Sequence, residues 1–223
     1  MRRHACLTST LACLALCAFL TPSSARAGRT DFPNPANSTI PAFVTLVGHR
    51  GGVPDPSGEF VVVFRDIAND PIPGARITCD FSDCRDLRLA AQQPYPGLHV
   101  DCTYRIVWTT TDATGTAHFC IVGGANNPGA ASGAGFQKMR IYADGILLGS
   151  VSASALDQNG YDGVHANDLS AWIADVLAGL QVQRSDYDGN ELLGANDASV
   201  WIARFLAAGS IEGAASLPGG LCP

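Results

Sequence analysis

The sequence predicts a mainly β chain with a small α module: an antiparallel β-sandwich over residues 38–153, then a pair of loop–helix units over residues 154–212. Two observations carry this reading. Short β-type runs separated by turn residues fill the middle of the chain, with no helical periodicity. The C-terminal third is a duplication, each copy an acidic loop followed by a one-sided apolar helix.

The chain opens with Arg2 and Arg3, a short apolar stretch from Leu11 to Leu20, and Ala25-Arg26-Ala27 as a small-x-small cleavage site. Residues 1–27 are expected to be a signal peptide, with Gly28 as the mature N-terminus and export as a secreted, extracellular protein. The stretch is too short for a resident membrane helix. Residues 28–37 read as a leader. Three of the fourteen Lys and Arg fall within 1–27, leaving eleven basic residues against twenty acidic ones. That balance argues against nucleic acid and anionic membrane as partners. Residues 150–223 hold nine acids, two arginines and no lysine, which favours a cation site there. Beyond the signal remain Cys79, Cys84, Cys102, Cys120 and Cys222, an odd number whose pairing the sequence leaves open. His99 and Cys102 have zinc-ligand spacing, but no second ligand pair follows.

Strand candidates run in order from Ala42 to Val47, Glu59 to Phe64, Ala75 to Phe81, Thr103 to Thr111, Ala117 to Val122, Lys138 to Ala143 and Ile146 to Val151. Asp144-Gly145 between the last two is a two-residue hairpin signal, since both turn positions require positive φ. The expected interior includes Ile77, Phe81, Ile106, Phe119 and Ile141. The stretches Phe64-Arg65-Asp66, Pro71-Ile72-Pro73-Gly74-Ala75 and Thr110-Thr111-Asp112-Ala113-Thr114-Gly115-Thr116-Ala117 resemble the bacterial immunoglobulin-like domains of the invasin type. That resemblance implies an immunoglobulin-like sandwich over 38–153 and says little about function.

Asp157–Ala178 and Asp186–Ala207 match at 11 of 22 positions at a spacing of 29. In each, an apolar stripe recurs at helical spacing: Leu169, Trp172, Ile173, Val176 and Leu177, then Ala198, Trp201, Ile202, Phe205 and Leu206. The two stripes are expected to pack on each other. Asn167 or Asn196 can cap a helix start, and Gly179 and Gly209 fit the stops. The loops follow the spacing of a hard cation bound by oxygen, with carboxylates alternating on a tight turn and one closing at position twelve. The second loop offers Asp186, Asp188 and Asn190 at positions one, three and five, the Leu192 carbonyl at seven and Asp197 at twelve. The first offers Asp157, Asn159, the Gly163 carbonyl and Asp168; Tyr161 stands at five, and Asp162 substitutes if the loop buckles. Calcium is the expected ion.

Position twelve is Asp, and position six is Asp162 or Glu191 rather than Gly. With one helix after each loop, the unit resembles a dockerin. The resemblance implies that positions ten and eleven, here Ala166-Asn167 and Ala195-Asn196, contact a cohesin-like or other extracellular protein. The linker Gly179 to Ser185 is shorter than dockerins usually have. Residues 213–223 read as a tail. The chain lacks a Gly-x-Ser-x-Gly elbow, a His-Glu-x-x-His helix, a phosphate-cradling loop and a Cys-His pair at nucleophile spacing, so no enzyme is expected. The sequence thus points to a secreted, non-catalytic calcium-binding protein that docks to a partner. The alternative is a structural or adhesive protein with purely structural calcium and a glycan- or surface-binding sandwich.

Overall fold

The computed structural model describes residues 32–126, 138–179, 182–208 and 211–223. The signal-peptide expectation and Gly209 lie outside them. The chain is mainly β with a small α part. Its strands are β1 (Phe43–Leu46), β2 (His49–Arg50), β3 (Val53–Pro54), β4 (Glu59–Val63), β5 (Arg76–Asp80), β6 (Leu87–Leu89), β7 (His99–Asp101), β8 (Ile106–Thr110), β9 (Thr116–Cys120), β10 (Gly123–Ala125), β11 (Met139–Ala143) and β12 (Ile146–Ala155). Two helices follow, α1 (Ala166–Leu177) and α2 (Ala195–Ala208). No helix among the described residues is long and apolar enough to cross a membrane.

The main sheet has the order β1-β12-β11-β5-β8-β7. The hairpin between β11 and β12 turns at Asp144 and Gly145, with φ of 46° and 83°, as the dipeptide predicts. Strands β4 and β9 form a separate antiparallel pair, with Phe60 stacked on Phe119. Their inward side chains, Val62, Ala117 and Phe119, share one core with Val44, Ile77, Cys79, Val107, Ile141 and Ala153 of the main sheet.

Two expectations need correction. The sheet is not wholly antiparallel, because β1 runs parallel to β12. About a hundred residues separate the two strands, so no hairpin dictates their relative direction. Ile106 is only half-buried. The segment 103–105 is a turn with Arg105 at φ 55°, and β8 starts one residue later. Pairing then sets Val107 opposite the buried Cys79, which puts Ile106 on the other face. The remaining four expected core residues are fully buried. The short strands β2, β3, β6, β7 and β10 have too little apolar alternation to stand out in the sequence.

The C-terminal tail returns to the sheet. Leu221 bridges Ala90, the Arg88 guanidinium donates to the Cys222 carbonyl, and Cys222 forms a disulfide with Cys102 across 120 residues. Cys79, Cys84 and Cys120 are buried thiols. Closing so long a loop restricts the unfolded chain strongly. Cys222→Ser is therefore predicted to lower stability by about 2–4 kcal/mol, measured by urea unfolding under oxidising conditions. Coincident transitions for variant and wild type would contradict this.

Candidate metal centre

Strand β12 runs into the first acidic loop, and each loop is followed by a helix whose first turn carries the closing aspartate. Oxygens of Asp157, Asp162 and Asp168 lie within 4.8 Å of one another, as do those of Asp186, Asp188 and Asp197. The loops therefore converge differently. The first uses positions one, six and twelve, with Tyr161 exposed; the second uses one, three and twelve. Asn159 and Asn190 brace the loop backbone, accepting from the N–H groups of Tyr161 (2.9 Å) and Leu192 (2.7 Å). The Gly163 N–H donates to Asp157.

Asp157, Asp168, Asp186 and Asp197 are buried, and none joins an ion pair among the described residues. Backbone N–H groups hold them instead. Asp168 accepts from Gln158 (2.7 Å), Asn159 (3.1 Å) and His165 (2.7 Å). Asp197 accepts in register from Tyr187 (2.7 Å), Asp188 (3.3 Å) and Gly194 (2.9 Å). The closing aspartates thus anchor their own helix starts. Asn167 and Asn196, expected as alternative caps, lie within the first helical turn; Asn167 instead donates to Asp162. At the far end of α1, Gly179 takes φ 62° as the stop requires. Burial pushes the Asp157 carboxyl up to about 7, and the Asp168 charge adds to it. Burial also raises Asp168 and Asp186. Exposed Asp162 is held down, first by its hydrogen bond from Asn159.

The duplication is tied across its own pseudo-symmetry. The Trp172 indole donates to the Ser185 carbonyl (3.1 Å), one residue before the second loop. The Trp201 indole donates to the Leu156 carbonyl (3.0 Å), one residue before the first. Between them Gln158 donates to the Tyr187 hydroxyl (2.6 Å), joining position two of each loop. These are equivalent residues 29 apart, so each helix braces the entry of the other loop. Sequence reading identified both tryptophans only as packing residues; their matched polar ends were the available signal.

The helical unit also packs into the sheet region. Ala125 N–H donates to the Asp157 carbonyl (2.7 Å), and Val164 bridges Ile211. A Cβ at Gly163, where φ is 94°, would meet the Ile211 carbonyl oxygen at 1.8 Å, so only glycine allows this approach. Fully buried Arg184 is held bidentately by Asp175 (2.9 and 2.5 Å), and its own N–H donates to Asp86 (2.8 Å). The apolar stripes do not simply face each other. Trp172 and Trp201 share a cluster with Val47, Cys120, Leu156, Val164 and Ile211, while Ile173, Leu177, Ile202 and Leu206 stay exposed. Asp175, inside α1, is buried to reach Arg184, and that rotates the stripe away from full burial.

Comparison with protein-family models, with curated proteins and with solved structures gives no match.

The raised carboxyl of Asp157 fixes a pH dependence for the metal-free protein. An unfolded aspartate titrates near about 3.9. The folded state therefore holds this proton more tightly, and its stabilising contribution is complete below about 4 and lost as pH rises to about 7. In chelator, the stability advantage of wild type over Asp157→Asn is predicted to shrink across that window. Chemical unfolding at several pH values measures it; an advantage that grows with pH would contradict the assignment.

Proposed function

We propose that this chain is a secreted, non-catalytic calcium-binding protein. In this reading, its immunoglobulin-like sandwich carries a dockerin-like loop–helix pair that docks to a cohesin-like or other extracellular protein. One observation carries the proposal: two triads of converging carboxylates, 29 residues apart, with buried members and no ion pair to a cationic side chain among the described residues. Gathering such charges away from water is unfavourable unless an ion compensates them. All-oxygen donors on a tight loop suit calcium better than zinc or copper, which favour nitrogen and sulfur. Bound calcium would supply charge compensation and hold each loop against its helix. Ala166, Asn167, Ala195 and Asn196 are exposed at the helix starts, beside the exposed Ile173, Leu177, Ile202 and Leu206. Together they form the surface offered to a partner.

A second reading has its own support. The first loop is packed against β10 and the Ile211–Gly213 segment, and Gly189 of the second lies against Phe43 and Ser152 of the main sheet, so calcium there also suits a purely structural role in an adhesive protein.

Calorimetric titration of the full chain after chelation tests the ion. Two calcium ions per chain are expected, with stabilisation of about 2.7 kcal/mol per site at a hundredfold excess over Kd. Asp197→Ala should remove the second site, whereas Asp162→Ala should weaken the first, because Asp162 is exposed and makes no backbone anchor. Absence of heat and an unchanged melting temperature would overturn the proposal. Calcium-dependent binding to a cohesin domain, abolished by Ile202→Asp, separates docking from the structural reading, which predicts the calcium response without the binding.

A further inference from the structure

A cavity of about 610 Å3 lies between the Val53–Ser57 segment and helix α2, with no acidic-loop residue among its described walls. Its walls include Pro54, Pro56, Ala207 and Ile211, and no aromatic ring lines it among the described residues. Arg50, Asp55, Ser57 and Arg204 line the same space, Arg50 at its exposed edge and Asp55 and Arg204 with buried polar atoms. Asp55 is more than nine-tenths buried; its Oδ1 accepts from the Ser57 N–H at 2.9 Å, but its Oδ2 has no hydrogen-bond partner. The buried Nη1 of Arg204 has none either, so the two orphans do not satisfy each other. Internal symmetry sharpens the point. The equivalent of Arg204 in the first unit is Asp175, which is fully paired with Arg184. In the second unit Arg204 makes no ion pair among the described residues, and the Asp55 charge acts on it without a direct contact.

We propose that this cavity binds a short apolar peptide with free termini. Its ammonium group would donate to Asp55 Oδ2, its carboxylate would accept from Arg204, and its aliphatic side chains would lie against the two prolines and Ile211. The volume is in the range of small-ligand sites, which are mostly apolar with a few placed polar groups. Guanidinium is the natural partner for a carboxylate. Other classes fit less well. A fatty acid would leave Asp55 unsatisfied, and a phosphate drawn in by Arg50 and Arg204 would leave the Asp55 carboxylate without a donor. A sugar would lack the aromatic face on which its ring commonly stacks.

The probe is the dipeptide Ala-Leu, with N-acetyl-Ala-Leu and Ala-Leu-amide, titrated calorimetrically into the full chain with calcium present. Ala-Leu is expected to bind at micromolar to millimolar concentration. Asp55→Asn and Arg204→Gln should each weaken it at least tenfold, the usual scale for a buried charged hydrogen bond. N-acetylation should cost affinity in wild type but nothing further in Asp55→Asn, and amidation should behave likewise with Arg204→Gln. Ala207→Phe fills the cavity, leaves both charges intact and should abolish binding. No binding of Ala-Leu by wild type, or binding unchanged in Ala207→Phe or in both charge variants, would overturn the proposal. The calcium titration is read separately, so failure here leaves that reading untouched.

Discussion

Four buried aspartates, Asp157, Asp168, Asp186 and Asp197, organise the C-terminal third of this protein. Each is held by backbone N–H groups of its own loop, and none joins an ion pair among the described residues. Hydrogen bonds from the backbone soften the burial of a carboxylate, but they do not neutralise two or three of them gathered at one point. The closing aspartates pin the backbone of the loops and the starts of both helices. A divalent cation is the simplest compensation the chemistry offers, which is why the functional reading centres on it.

The duplication gives that arrangement its stiffness. Trp172 and Trp201 each reach the entry of the opposite loop, and the side chains at position two of both loops meet at the Gln158–Tyr187 hydrogen bond. Neither loop is thus an independent element. The symmetry is broken where the unit meets the rest of the chain. At Asp175 the first helix is committed to Arg184, and through Arg184 to Asp86 of the sheet region. At Arg204 the second helix faces a cavity instead.

Much of this was legible in the sequence, for local reasons. Asp144-Gly145 fixes a hairpin through its own φ preferences, and the loop aspartates stand at spacings that only make sense as a converging set. Alternation placed Ile77, Phe81, Phe119 and Ile141 inside. What could not be read depended on contacts far apart in the chain. The parallel pairing of β1 with β12, the Cys102–Cys222 bond and the Arg184–Asp86 contact each join segments about a hundred residues apart. Ile106 falls on the outer face because the turn through Arg105 moves the strand start from Thr103 to Ile106, three positions, an odd number within a period of two. Ile173 and Ile202 looked like core from helical spacing alone; their exposure follows from which neighbour each helix meets.

The central claim is that the two loops form one cross-braced unit. Site-resolved amide hydrogen exchange on Asp197→Ala in the presence of calcium tests it most directly. The account predicts that protection falls not only at 186–197 but also at the first loop and the start of α1, because a disordered α2 no longer presents Trp201 to the Leu156 carbonyl. Protection of residues 157–168 left at its wild-type level while the second loop opens would contradict it.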